Sequence, residues 1–185
     1  MVEQVFAFLS QYYPLNIEVK ARITTLLKTK TFKKKEYLLR ESQLSNHIYF
    51  IEKGLIRIFY TDDGTEICSA LLAEGGMPLC VESFFNRVPS YEFIQALEET
   101  IVWYLTYDEL ESIYKDFIEF NIVGRKLITE YYVLSERRTY VLRKLKAKEK
   151  YQWFQDELGH LLPRVPRRDI ASYLGLTLET LSRLS

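Results

Sequence analysis

The stretch RRDIASYLGLTLETLSRLS, residues 167–185, decides how the rest of the chain is read. It carries two short helical patterns with Gly175 between them. Ile170, Ala171 and Leu174 share one face of the first, predicted over residues 168–174, and Ala171 is small where a second helix must cross closely. Glycine takes a left-handed backbone at little cost, so Gly175 suits a tight turn. Thr177 is a good N-cap for the next helix, whose buried stripe is read as Leu178, Leu181 and Leu184. Helix, glycine turn, helix at this spacing predicts a helix-turn-helix. The outer face of its second helix is then Glu179, Thr180, Ser182 and Arg183. Arg can bond guanine O6 and N7 together, Glu can accept from cytosine N4, and Ser and Thr can reach bases or phosphates. Arg167 and Arg168, ahead of the first helix, are placed to meet phosphates. A plain helical hairpin would serve equally well with Lys and Glu pairs on that face; the combined spacing favours DNA binding.

Working back from this stretch, LLPRVP is a break with two prolines, and residues 147–158 read as a helix. Before it runs a long helix, predicted over residues 119–146, with apolar positions at Ile122, Val123, Leu127, Ile128, Tyr131, Tyr132, Leu134, Val141, Leu142 and Leu145. A helix of about seven turns is long for a domain of this size and packs along something. Its twin in a dimer is the favoured partner, its own barrel the alternative. From residue 143 to the end there are nine Lys and Arg against five Asp and Glu, so a mildly basic tail follows a mildly acidic body. That asymmetry points weakly to nucleic acid.

Residues 29–106 follow a different grammar. Short β-branched and aromatic segments alternate with turn signals, and the chain holds 14 Tyr and 11 Phe. In HIYFIEKGLIRIFYTDDGTEICSALL, residues 47–51 and 55–60 read as strands around a Glu52-Lys53-Gly54 turn, and Asp62-Asp63-Gly64 as a hairpin turn into residues 66–72. The imperfect alternation of Ile56-Arg57-Ile58-Phe59-Tyr60 suits a curled sheet covered on both faces. Further strands are expected near residues 91–96 and 101–105, with one helical turn at residues 81–86. Such spacing predicts an antiparallel jelly roll or small barrel. Residues 2–9, 17–27 and 108–114 read as helices. The whole is an α+β protein: an effector domain over residues 1–118, a dimerisation helix over 119–146, and a helix-turn-helix domain over 147–185, read as incomplete at its C-terminal end.

Other classes are disfavoured. Cys68 and Cys80 match no zinc or iron–sulfur spacing and read as buried thiols. His47 and His160 are the only histidines, and His47 alone lies in the strand region, so a cupin-type metalloenzyme lacks its ligands. Neither histidine reads as a haem ligand. The N-terminus shows no basic region or cleavage site of a secretory signal, and no run reaches about 18 apolar residues, so the expected compartment is the cytoplasm.

The order of elements, with EKGLIRIFY and DGTE in the strand region, a long helix, and IASYLGLTLETLSR at the end, resembles the Crp/Fnr family of bacterial transcription regulators. The resemblance covers nearly the whole chain, and G-L-T-x-E-T-x-S-R is its specific part. It implies a cyclic-nucleotide-binding-like barrel, a winged helix-turn-helix, no enzymatic activity, a homodimer, double-stranded DNA as partner, and RNA polymerase as a further one. Glu179, Ser182 and Arg183 match the residues that read the half-site in the fumarate–nitrate regulator branch, which implies a palindrome of TTGA-like half-sites. Leu178 stands where the cyclic-AMP receptor branch usually has an additional Arg. Aligned without gaps, the cassette Arg and Ser that hold a cyclic nucleotide's phosphate fall on Ser90 and Tyr91, and its Glu on Cys80; a small shift brings in Glu82. The effector pocket is therefore placed around Glu82, Ser83, Ser90 and Tyr91, with cyclic AMP disfavoured, no cofactor expected and the effector unnamed. The alternative is a small-ligand-binding module without DNA function.

Overall fold

The structure is a computed structural model and describes residues 2–184. Two helices, α1 (Val2–Ser10) and α2 (Ile17–Leu26), precede seven strands: β1 (Lys28–Phe32), β2 (Tyr37–Leu39), β3 (His47–Lys53), β4 (Ile56–Asp62), β5 (Thr65–Leu72), β6 (Phe93–Ala96) and β7 (Thr100–Thr106). A short helix, α3 (Val81–Asn86), interrupts them. Then come α4 (Tyr107–Asp116), α5 (Phe120–Lys144), α6 (Ala147–Leu158), a 3-10 turn (Gly159–Leu161), α7 (Arg167–Tyr173) and α8 (Leu178–Leu184). The elements assigned from sequence fall close to their expected places, with α5 starting one residue late and α7 one residue early; β1 and β2 are not among them.

All strand pairs are antiparallel, in two sheets of order β1-β7-β3 and β2-β6-β4-β5. Their facing sides form one core from Phe32, Ile51, Ile56, Ile58, Ile94 and Val102. This is the expected jelly-roll architecture, though one connection differs from the hairpin suggested by sequence. β3 pairs with β7 and β4 with β5 and β6, so the Glu52-Lys53-Gly54 turn carries the chain from one sheet to the other. Gly54 makes this possible: its φ is +114°, and a Cβ there would overlap Thr100. The Asp63-Gly64 turn is the hairpin expected, with both residues at positive φ (46° and 77°) as a two-residue type I′ turn requires.

The outer faces of the sheets are covered differently. α1, α2, α4 and the start of α5 pack on β3 and β7 through Val5, Leu9, Ile23, Phe50, Ile113 and Val123. The other sheet is covered by the C-terminal helices. Leu55, Cys68 and Leu71 share one buried cluster with Phe154, Leu161, Val165, Ile170, Leu174 and Leu181. Arg57 is the price of a strand buried on both sides: it is 2% exposed and reaches out of the sheet toward α7. Among the described residues no strand lies beyond Thr106, and no helix is long and apolar enough to cross a membrane.

Candidate nucleic-acid interface

The geometry of the C-terminal hairpin follows from its turn. The Leu176 N–H donates to Ala171 O (2.9 Å) and the Gly175 N–H to Ser172 O (3.0 Å), while Gly175 sits at φ +61°. This is the Schellman closure of a helix, and it reverses the chain within three residues. Thr177 then caps α8: its Oγ1 accepts from the Thr180 N–H at 3.1 Å and lies 3.0 Å from Thr180 Oγ1. Leu181 is 1% exposed and locks α8 onto Ile170 and Leu174.

With Leu181 inward, Glu179, Ser182 and Arg183 are exposed together on the opposite side, and Thr180 is half-buried beside its cap. Hydrogen bonds from its own backbone and from Thr177, with the Arg183 charge nearby, hold the Glu179 carboxyl below its ordinary range, so it is an ionised acceptor. The expected stripe is corrected at two positions: Leu178 is exposed and Leu184 is half-buried, so Leu181 alone of the three is buried.

Arg167 and Arg168 form the first turn of α7 instead of preceding it. Arg167 donates to Leu181 O at 3.4 Å. Arg168 is 66% exposed, with its guanidinium 3.5 Å from Asp169 and 3.7 Å from Glu66 of β5. Behind it lies a network that the sequence does not announce. Arg57 Nη1 donates to Glu66 (2.7 Å) and to Asp169 (2.9 Å), and its Nε and Nη2 both donate to Gln95 Oε1 (3.0 and 2.8 Å). Burial works against the Arg57 charge, but the bond to Glu66 and the Asp169 carboxylate outweigh it and hold the guanidinium above its ordinary range. Ser172 bridges the same two elements, accepting from the Cys68 N–H (2.8 Å) and donating to Glu66 O (3.2 Å). Arg138 of α5 donates to Cys68 O (3.3 Å) and Tyr173 O (3.1 Å). The one signal in the sequence for all this is Arg57 itself, a charge inside an apolar strand.

Of the residues assigned to an effector pocket, the two serines are engaged by nearby backbone and the other two are exposed. Ser83 Oγ donates to Val88 O (2.6 Å) and accepts from the Ser45 N–H, and Ser90 Oγ is closed onto the backbone of Glu92. Glu82 is exposed, and Tyr91 is 54% exposed against Tyr60. Arg87 is committed to Ser45 O, Phe84 O and Asn46 and stacks on Tyr107. The side chain facing Ser69 here is Glu92, at 2.8 Å, and burial pushes its carboxyl above the ordinary range. An apolar cavity of about 60 Å³ lies elsewhere, between α1, α2, α5 and β3, and none of the four residues lines it. Both cysteines are buried and free, as expected, and burial raises each thiol to about 12.

Comparison with known proteins matches two stretches of the chain. Residues 29–117 match the cyclic nucleotide-binding domain family, and residues 164–184 match the bacterial regulatory proteins of the crp family. FixK2 from Bradyrhizobium japonicum is 25% identical, with a TM-score of 0.73 over 86% of this chain and 82% of its own. The regulator CLP of Xanthomonas campestris, described as c-di-GMP responsive, is 13% identical with a TM-score of 0.71 over 91% and 89%. A crp/fnr-family regulator from Eubacterium rectale is 20% identical with a TM-score of 0.72 over 94% and 85%. No curated protein sequence matches. The chain belongs to the Crp/Fnr family of bacterial transcription regulators, which are DNA-binding proteins and not enzymes.

Proposed function

We propose that this regulator acts as a cytoplasmic homodimer that places one α8 per subunit in the major groove of a palindrome with TTGA-like half-sites. The observation that carries this reading is the single outward face of α8, where Glu179, Ser182 and Arg183 stand exposed over buried Leu181. In this reading Glu179 and Arg183 accept and donate at base edges, Ser182 and Thr180 reach bases or phosphates, Thr177 sets the helix start, and Arg167 and Arg168 meet the backbone. Residues 1–118 carry the signal, residues 119–146 join the subunits and residues 147–185 bind DNA, with RNA polymerase as the partner at a promoter.

The dimer is supported by α5. Residues 128–137 are all exposed, including Ile128, Tyr131, Tyr132, Val133 and Leu134. Large side chains recurring every three or four residues on an uncovered helix are what a second copy of the helix would bury. The effector is not a cyclic nucleotide in this reading. Ser90 and Tyr91 stand where a phosphate would need a cation, Glu92 adds a carboxylate beside them, and Arg87 is tied elsewhere.

Fluorescence anisotropy of duplexes selected from a randomised palindromic pool tests the readout. A TTGA-like inverted repeat is expected, and Glu179→Ala should relax base preference more than it weakens nonspecific binding. A variant that discriminates bases as well as wild type removes Glu179 from the readout. Sedimentation should give a dimer that Leu134→Lys dissociates; a monomeric wild type refutes the α5 seam.

A further inference from the structure

We propose that Glu66 is an autoinhibitory phosphate mimic: its carboxylate, carried on the effector domain, engages Arg168 in place of a DNA phosphate. The proposal rests on the phosphate role assigned above to Arg168. Three observations support it. Glu66 is an effector-domain carboxylate that faces the first turn of α7, 3.7 Å from Arg168, and it is 39% exposed, so the pair is open to competition from solvent or from DNA. The carboxylate is not free to drift, because Arg57 holds it at 2.7 Å and is itself pinned by Gln95 and Asp169. The backbone beneath it is clasped to α7 through Ser172, which bonds both Glu66 O and the Cys68 N–H.

The consequence is a competition written in charge. A phosphate approaching Arg168 meets the Glu66 carboxylate at close range, well within the Debye length, and like charges repel there. DNA engagement therefore requires Arg168 to exchange one anion for another. An effector that shifts β5 relative to α7 would change the cost of that exchange without touching α8. Arg183, on the exposed face of α8, has Glu179 of its own helix as the carboxylate nearby, not a group of the effector domain.

The test uses the full chain and a random-sequence duplex, because phosphate contacts do not depend on base sequence. Glu66→Gln keeps the size of the side chain, and Arg57 retains Asp169 and Gln95, so the fold is expected to hold; circular dichroism verifies it. Glu66→Gln should tighten nonspecific binding about threefold to tenfold and steepen the dependence of log K on log salt by about one. In an Arg168→Ala background the same change should have no effect. If Arg168→Ala weakens binding but Glu66→Gln does not strengthen it, the mimic is refuted while the phosphate role of Arg168 stands. If Arg168→Ala leaves affinity and salt slope unchanged, the phosphate role fails and the mimic falls with it.

Discussion

Truncating Arg57 to Ala should destabilise the protein far more than truncating its partner Asp169, and the difference can be worked from the bonds. Arg57 is 2% exposed and Asp169 is 3% exposed, so neither can turn to water. Removing Arg57 takes the 2.9 Å partner from Asp169 Oδ1, while Oδ2 already lacks a hydrogen bond and Arg168 comes no closer than 3.5 Å. A carboxylate left buried without its counter-charge costs about 3–5 kcal/mol. Removing Asp169 leaves Arg57 bonded to Glu66 and twice to Gln95, so about 1–3 kcal/mol is expected, the cost of one lost charged hydrogen bond. The chain provides a reporter in each half: Trp103 lies on β7, and Trp153 lies on α6 stacked against Tyr173. Urea denaturation of single-tryptophan versions, with the other changed to Phe, follows both halves. The larger loss should appear at both reporters, because Arg57 binds the sheet and α7 together. A cost for Arg57→Ala below that of Asp169→Ala, or below about 1 kcal/mol as for an exposed pair, would refute the reasoning.

A second pair across the same boundary gives a pH dependence. Arg164 binds Glu74 through two 2.9 Å hydrogen bonds and holds its carboxyl from 4.5 down to about 2. A depressed carboxyl contributes stability that is complete above 4.5 and is lost as pH falls toward 2, so acid titration of Trp153 fluorescence should show a phase there that Arg164→Gln removes. Gly54→Ala forces a side chain into positive φ against Thr100 and should cost at least about 2 kcal/mol in thermal denaturation, whereas Gly64→Ala meets open space and should cost less. Thr177→Ala removes the cap of a seven-residue helix, with an expected loss of about 1 kcal/mol and about fivefold in DNA affinity by anisotropy. Unchanged affinity would show that α8 does not depend on that cap.

Much of the fold was legible because its signals are local. The Asp63-Gly64 turn, the Schellman glycine and the Thr177 cap act through bonds to residues within a few positions, and the structure has each of them where the sequence places it. The Gly54 turn misled for the opposite reason. Its sequence suits a hairpin, but its conformation is set by Thr100 and Glu74, which arrive from other elements. Leu178 misled because a helical stripe assumes that every apolar position on it is covered, and in α8 only Leu181 is buried.

The assigned functional residues divide along the same line. The exposed face of α8 follows from periodicity alone: once Leu181 is buried, Glu179, Ser182 and Arg183 point outward. The network around Arg57 could not be found that way, since Glu66, Gln95 and Asp169 meet only after three strands of one sheet have paired and α7 has packed on it. Arg57 also explains why the strand alternation is imperfect. β4 needs an inward face for the core and an outward face for α7, and Arg57 satisfies the second by carrying a charge that α7 neutralises. A strand that instead presented an apolar residue there would still cover the sheet, but it would hold α7 without direction. The guanidinium makes four hydrogen bonds to three side chains, the one to Asp169 fixing where α7 sits, and that placement is what sets Arg168 against Glu66.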